Sequence, residues 1–198
     1  NAPASILAQT LPVPQQVLEM EELRALTTIG IICEYDPFHR GHAHQFAEIR
    51  RIFPDAAIIC LMSGCFTQRG LPALFSPSVR AAAALENGAD LVLELPTAFA
   101  VRDAEHFALG GVSILERLGF VDYLSFGTED ELSVLKPAAE LLEESDEAFQ
   151  SRLRSYLAAG LSHAASQGKT LEERFPEAKE AFHRPNNILA LCYLRALR

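Results

Sequence analysis

The sequence predicts an α/β fold, a Rossmann-like doubly wound parallel sheet followed by a C-terminal helical segment. Three observations support this prediction. Short apolar runs alternate with amphipathic stretches over residues 29–127, the pattern of strand–helix units that form a parallel sheet with helices on both faces. After Gly127 the strand pattern ceases, and helical periodicity takes its place. A hydrophobic content of 49% over 198 residues is sufficient for a substantial core.

The alternating region contains four predicted strands and three predicted helices. The first strand, 29–35, is predicted from the apolar run 29–33 and is bounded by Pro37, and the helix after it is predicted at 41–53. The elements that follow are strand 56–62, helix 77–88, strand 90–95, helix 103–119 and strand 123–127. Later helices are predicted at 132–144, 147–159, 161–175 and 187–198, with breaks at Gly160 and Gly168.

These elements predict three regions. Residues 1–27 contain three prolines and little periodicity, and are expected to form a peripheral N-terminal extension with one short helix at 15–25. Residues 28–130 are expected to form a nucleotide-binding α/β domain. Residues 131–198 are expected to form the helical segment.

Composition restricts the environment of the protein. No apolar run approaches the roughly 18 residues that cross a bilayer, and no secretory signal pattern opens the chain. The four cysteines form no CxxC pair, and most fall in apolar patterns typical of reduced, structural thiols. We therefore expect a cytoplasmic protein without a membrane partner.

The net charge of −9 is unevenly distributed. Residues 1–148 have a net charge of −13, whereas residues 149–198 have a net charge of +4. The imbalance permits a basic docking surface on the last helices, and it is equally compatible with ordinary solvated helix faces.

The segment 34–43 lies at a predicted turn between the first strand and its helix. Such a turn presents free amide donors and the positive end of the helix dipole, which together favour phosphate. His39 and His42 are three residues apart, so both can donate to one phosphate group. Gly41 has no side chain to obstruct a nucleotide near the backbone. The pattern predicts a phosphate-binding turn with two candidate catalytic histidines.

Other polar residues also follow predicted strands, where α/β sheets bind ligands. Ser63, Gln68 and Arg69 belong to the loop after the second strand, and Arg69 could bind a phosphate or a carboxylate in bidentate fashion. Gly127 follows the last strand directly, so its backbone could approach an adenosine.

Asp36, His39, His42 and His44 are crowded as in many zinc sites. No second cluster supplies further ligands, so we expect no dedicated metal site. Magnesium is expected to arrive with ATP, held mainly by its phosphates.

Five segments carry a family resemblance. They are 30–42 (GIICEYDPFHRGH), 62–74 (MSGCFTQRGLPAL), 87–96 (NGADLVLELP), 126–129 (FGTE) and 185–189 (PNNIL). The first contains the His-x-Gly-His spacing of the HIGH-motif nucleotidyltransferase superfamily. Together the segments resemble the bacterial tRNA(Met) cytidine acetate ligase family over about residues 28–198.

That resemblance implies an ATP-dependent acetate ligase, which forms acetyl-adenylate and then acetylates the wobble cytidine of elongator tRNA(Met). It implies ATP as cofactor, acetate and elongator tRNA(Met) as partners, and ATP contacts by one of the asparagines Asn186 and Asn187. The other asparagine would suit an N-cap. The full set of expected ATP-binding residues is Ile32, Cys33, Glu34, Tyr35, Asp36, Pro37, Phe38, His39, Gly41, His42, Gly127, Asn186 and Asn187.

The resemblance is incomplete at its C-terminal end. Family members usually continue into a Ser- and Arg-rich loop comparable to the KMSKS loop, and no such loop follows Pro185 here. The chain is therefore expected to be a fragment or a shortened homologue. Two other hypotheses remain open: a small-molecule adenylyltransferase that shares the ATP site, and a non-catalytic nucleotide- or RNA-binding module.

Overall fold

A computed structural model of the protein describes residues 9–10, 27–143 and 147–198. Its sheet contains β1 (Gln9–Thr10), β2 (Thr28–Cys33), β3 (Ala57–Ser63), β4 (Leu91–Leu95) and β5 (Tyr123–Leu124), in the order β1-β5-β2-β3-β4. Strands β5, β2, β3 and β4 are parallel, and β1 is antiparallel to β5. The predicted parallel sheet is confirmed, with an antiparallel edge strand that the sequence pattern did not reveal. The helix predicted at 15–25 lies outside the described residues.

The helices occupy the segments between and after these strands. They are α1 (Arg40–Ile52), α2 (Pro77–Glu86), α3 (Thr97–Ala100), α4 (Ala104–Arg117), α5 (Leu132–Glu143), α6 (Glu147–Ala158), α7 (His163–Arg174) and α8 (Pro185–Ala196), with a 3-10 helix at Pro176–His183 before α8. In the part of the chain that the structure describes, no helix is long and apolar enough to cross a membrane.

The sheet is covered on both faces by helices. On one face, Phe46 and Ile49 of α1 and Ala84 of α2 join a core cluster with alternate residues of β2 and β3. On the other face α4 packs closely against β2, because a Cβ added at Gly30 would lie 2.8 Å from Leu115 Cδ1. The doubly wound arrangement follows from strands that are apolar on both sides.

The chain order creates a switch point beside β2. From β2 the chain adds β3 and then β4 on one side, and it later returns to add β5 on the other side. In open α/β sheets ligands bind beyond the carboxyl ends of the strands at such a point. The turn after β2 and the residues after β5 therefore meet at the ligand-binding edge of the sheet.

Some boundaries differ from the predicted ones for identifiable reasons. Strand β2 ends at Cys33 rather than at residue 35, because Tyr35 has a left-handed backbone with φ of 51°. The helix predicted at 103–119 begins at Ala104, because the Asp103 carboxylate accepts the His106 amide and caps it. Strand β5 is shorter than the predicted 123–127, and the 3-10 helix was not predicted.

Contacts divide the chain into two compact units, an N-terminal unit containing Ile6–Gly127 and a C-terminal unit containing Thr128–Ala196. Within the C-terminal unit, α5 packs against α8 and α7 packs against the 3-10 helix. The fully buried residues Leu135, Ala138 and Ala190 belong to the first of these pairs.

Candidate nucleotide-binding site

The turn between β2 and α1 is held by an aromatic cluster. Tyr35 is 2% exposed, and its ring centroid lies 5.0 Å from that of Phe38 and 4.6 Å from that of His42. A left-handed backbone costs free energy for a residue with a Cβ, so it persists only where the surroundings fix it. Burial of the Tyr35 ring fixes the turn and places His42 against an apolar wall.

His39 and His42 cap the first turn of α1. Gly41 N donates to His39 Nδ1 at 3.1 Å, and His39 N donates to His42 Nδ1 at 3.2 Å. The two rings are stacked, with centroids 3.6 Å apart and planes 17° apart. Because each Nδ1 accepts an amide proton, a neutral ring carries its own proton on Nε2. Both histidines can therefore offer an Nε2–H donor to a phosphate at the helix N-terminus.

His42 remains neutral at physiological pH. Burial, together with a smaller effect of the neighbouring His39, lowers the pKa of His42 to about 4. A neutral imidazole with a fixed tautomer is a hydrogen-bond donor whose strength does not vary near pH 7.

Gly41 also leaves room for the ring of His39. A Cβ at Gly41 would lie 2.9 Å from His39 Cε1 and 3.1 Å from His39 Nδ1, which would displace the ring from its cap. The predicted clearance for a nucleotide stays a prediction, and the structure adds a local reason for glycine.

The acidic residues of the turn hold a neighbouring loop, residues 64–76. The Glu34 carboxylate accepts the Gln68 amide, and the Asp36 carboxylate accepts the amides of Leu74 at 2.8 Å and Phe75 at 3.1 Å. Burial raises the pKa of Glu34, opposed by the hydrogen bond from Gln68. Contacts of Glu34 and Asp36 with ATP would therefore come from their backbone, because their carboxylates are occupied and would repel phosphate.

The predicted phosphate and substrate residues lie just before the 64–76 loop or within it, and their side chains differ in how available they are to a ligand. Ser63 is fully buried at the end of β3 and lies 3.5 Å from Arg80 Nη1. Gln68 Nε2 donates to Arg102 O at 2.7 Å, so the Gln68 side chain already has a hydrogen-bond partner within the protein. Arg69 is exposed, and it is the member of this set most available to a ligand.

The remaining residues predicted around the turn differ in burial. The side chains of Ile32 and Cys33 are buried in the sheet, whereas Pro37 is exposed and Phe38 is partly buried. Only the backbone of Ile32 and Cys33 could reach a nucleotide.

Gly127 lies at the same edge of the sheet, just after β5. Ser125 N donates to Gly30 O at 2.9 Å, and Gln45 Nε2 of α1 donates to Ser125 Oγ at 3.0 Å. A Cβ at Gly127 would meet no atom within 4 Å, so packing does not require glycine here. A ligand that lies against the backbone at this position would explain why the residue is glycine.

The two asparagines belong to the C-terminal unit and have different surroundings. Asn187 is fully buried, its Oδ1 accepts the amides of Glu129 and Asp130, and its Nδ2 donates to Asp130 Oδ2 and Ala181 O. Its hydrogen-bonding capacity is therefore used within the unit. Asn186 is exposed.

Neither asparagine is an N-cap, because α8 begins at Pro185 rather than at residue 187. The Glu129 carboxylate instead accepts the amides of Asn186 at 3.4 Å and Asn187 at 3.1 Å. The expected N-cap role is therefore wrong, and the cap comes from a residue 57 positions earlier than Asn186.

No group of three His, Cys, Asp or Glu residues suited to a metal ion is present within 9–10, 27–143 and 147–198. The carboxylates of Glu34 and Asp36 already accept amide hydrogen bonds.

One residue of this edge escaped sequence reasoning. Arg80 of α2 is 1% exposed and donates to oxygens of Glu34, Ser63, Gly64 and Phe75. Its sequence signal was its position four residues before Ala84, on the face of α2 that is buried.

Comparison with known proteins identifies a family and several relatives of this chain. A family model described as HIGH Nucleotidyl Transferase matches residues 26–198. The tRNA(Met) cytidine acetate ligase of Halothermothrix orenii is 40% identical over 183 residues, covering 87% of this chain and 43% of that protein. The protein of the same name from Syntrophotalea carbinolica is 43% identical over 176 residues, covering 87% and 42%.

A crystal structure of Thermotoga maritima TmcAL bound with alpha-thio ATP is also similar, with a TM-score of 0.81 and 33% identity. The match covers 86% of this chain and 43% of that one. The chain thus spans less than half the length of the relatives that it matches.

Proposed function

Because the chain belongs to the HIGH nucleotidyl transferase family, we propose that it binds ATP at the carboxyl edge of its sheet and acts in a tRNA(Met) cytidine acetate ligase. The observation that carries this proposal is the pair of stacked histidines at the start of α1, each with Nδ1 bound to an amide and Nε2–H available. The similar Thermotoga maritima protein was crystallised with an ATP analogue, and the curated relatives are named tRNA(Met) cytidine acetate ligase.

The proposed reaction has two steps. An acetate oxygen attacks the α-phosphorus of ATP, the bond to the β-phosphate oxygen breaks, and acetyl-adenylate and pyrophosphate form. The exocyclic amine of the wobble cytidine in elongator tRNA(Met) then attacks the acetyl carbonyl carbon, AMP leaves, and the amine loses a proton. The first step needs alignment and stabilisation of phosphate charge more than covalent help from the protein.

The chain's own residues would supply that stabilisation. His39 and His42 would donate from Nε2 to phosphate oxygens at the positive end of α1. The backbone of residues 32–38, Gly41 and Gly127 would border the nucleotide. Arg69 would bind acetate or a phosphate in bidentate fashion, supported by the loop that Ser63 and Gln68 help to hold.

Two further groups would contribute less to ATP binding. Asn186 is the better candidate of the asparagine pair for the ATP contact, because its side chain is exposed. Magnesium would enter with ATP and neutralise phosphate charge, and the protein would offer it few groups because the turn carboxylates are occupied.

The tRNA partner would meet the basic excess of residues 149–198, although part of that charge is already paired. Arg152 Nη2 lies 2.5 Å from Glu173 Oε1, and Arg184 Nη1 lies 3.0 Å from Asp130 Oδ2. Arg154 is exposed. Binding through exposed cations such as Arg154 would release counterions and therefore be salt-sensitive, while the pairing of other cations should make the binding of tRNA by this chain weak.

Exchange of labelled pyrophosphate into ATP tests the proposal, measured with and without acetate. Exchange that requires acetate supports the ligase. Exchange that requires a different acceptor instead supports a small-molecule adenylyltransferase, and ATP binding without any exchange supports a non-catalytic module. Labelled acetate with elongator tRNA(Met) in the same mixture tests the second step, and failure to label the tRNA would contradict acetyl transfer by this chain.

A further inference from the structure

Arg80 is a buried cation whose hydrogen-bond acceptors are all uncharged. Its Nε donates to Phe75 O at 3.1 Å, and its Nη1 donates to Glu34 O at 2.5 Å. Nη1 also lies 3.5 Å from Ser63 Oγ, and Nη2 donates to Gly64 O. The guanidinium therefore binds three carbonyl groups and a hydroxyl group, at 1% exposure.

These acceptors belong to three separate segments of the ligand-binding edge. Glu34 follows β2, Ser63 and Gly64 end β3 and open the 64–76 loop, and Phe75 lies near the end of that loop. A rigid, planar fork of donors fixes several acceptors in defined directions, whereas the donors of a lysine ammonium group rotate freely.

The loop has a second attachment that depends on the same turn. Glu34 and Asp36 accept amides of Gln68, Leu74 and Phe75 through their carboxylates. Since Arg80 binds the backbone carbonyl of Glu34, it fixes the base from which the Glu34 side chain reaches the loop.

Stability alone gives a weak reason for this arrangement. Burial of a charge carries a large desolvation penalty, and apolar side chains of similar volume often stabilise a fold at least as well. A buried guanidinium that links three segments at one edge of a sheet is better explained by the geometry that it imposes there.

We propose that Arg80 is a positioning residue, which holds the 64–76 loop against the turn after β2 so that Arg69 and the two histidines face one nucleotide. This inference rests on the proposed function, since it assumes that the nucleotide binds at this edge. Arg80 is too buried to touch the ligand itself and acts through the backbone.

A matched control is present at the opposite edge of the sheet. Arg50 of α1 donates to Ala56 O, to Gly88 O at 3.2 Å and to Asp90 Oδ2 at 2.8 Å, all beside the amino ends of β3 and β4. Arg50 therefore also links segments through carbonyl groups, but away from the predicted site.

The test uses the full 198-residue chain with Arg80→Met, Arg80→Lys and Arg50→Met. Affinity for a non-hydrolysable ATP analogue and hydrogen exchange of the Gln68, Leu74 and Phe75 amides are measured well below the melting temperature of each variant. We expect both Arg80 variants to bind the analogue at least about tenfold more weakly and to exchange these amides at least about tenfold faster. Arg50→Met should leave both quantities unchanged.

Chemical rescue separates positioning from general stability. Arg80→Ala should regain analogue binding when millimolar guanidinium is added, whereas Arg80→Met, whose side chain fills the space, should not. Unchanged affinity in folded Arg80→Met and Arg80→Lys would overturn the proposal, and so would loss of the fold in every Arg80 variant. If the unsubstituted chain bound no analogue, the proposed function would fail, and amide exchange would still decide whether Arg80 holds the loop.

Discussion

The two edges of the parallel sheet differ in whether their charged side chains pair with one another. At the amino edge, the Asp90 carboxylate accepts Ile58 N at 2.7 Å and the Arg50 guanidinium at 2.8 Å, so opposite charges meet. At the carboxyl edge, Arg80 binds carbonyl groups, while Glu34 and Asp36 bind amides.

The difference separates a structural edge from the proposed binding edge. An ion pair and short connections occupy the amino edge, where Asp122 also accepts Thr28 N at 2.8 Å. The carboxyl edge has a 13-residue loop (64–76), an exposed Arg69 and two available imidazole donors. Held in place by backbone contacts, these groups can meet an anion without first breaking an ion pair.

The largest effect is expected from the histidine pair. Replacement of His39 and His42 together by alanine removes two donors to a charged group, each worth roughly 1.5–3 kcal/mol, so exchange of pyrophosphate into ATP should fall at least about a hundredfold. Each single replacement should lower it at least about tenfold. Thermal unfolding measured alongside should show that the fold is retained.

His44→Ala is the matched control, because His44 is exposed on the same helix and outside the cap. Full exchange activity in the double variant would mean that the carboxyl edge does not bind the phosphates. The contrast between the two edges would then have no functional meaning.

Local sequence pattern predicted the parts of this edge that depend on neighbouring residues. The strand-to-helix turn, the histidine spacing and the placement of Gly127 after a strand all arise within a few residues of the chain. The boundary error at Tyr35 has a clear cause, since tyrosine favours a strand, whereas the left-handed backbone at this position suits glycine or asparagine better.

Contacts between distant residues could not be predicted in the same way. Glu34 and Asp36 appeared as nucleotide contacts because they lie in the motif, but their carboxylates bind amides 34 to 39 positions away. The sequence pattern did not single out Arg80, since an arginine usually extends its charge to water. Its burial depends on carbonyl groups that only the folded sheet brings together.

A smaller effect, on stability alone, is expected at the amino edge. Asp90→Ala leaves the Ile58 amide without its acceptor and leaves the Arg50 guanidinium with carbonyl acceptors alone, which should lower the free energy of unfolding by about 1–3 kcal/mol. Affinity for an ATP analogue should not change, because the site is at the opposite edge. Urea unfolding and analogue titration on the same preparation check both, and weaker analogue binding in a stably folded variant would show that the two edges are coupled.

The smallest effect is a pH dependence that the carboxyl edge alone should produce. Burial and the neighbouring His39 hold the pKa of His42 at about 4, below its ordinary 6.5. Between these two values the unfolded chain binds a proton that the folded chain does not, so the contribution of His42 to stability is fully present above about pH 6.5 and is lost as the pH falls towards 4. Because the ring is partly exposed, solvent screening should limit the loss to on the order of 1–2 kcal/mol.

Glu34 changes stability in the opposite direction, since its raised pKa favours the folded state as the pH falls. A comparison with His42→Gln cancels that contribution, because Glu34 is present in both proteins. Urea unfolding at pH 7.5 and pH 5 should therefore show a smaller loss of stability on acidification in His42→Gln than in the unsubstituted chain. An equal loss in the two proteins would mean that His42 is solvated and titrates normally, and the turn would then lack the fixed, neutral donor that distinguishes the carboxyl edge from the amino edge.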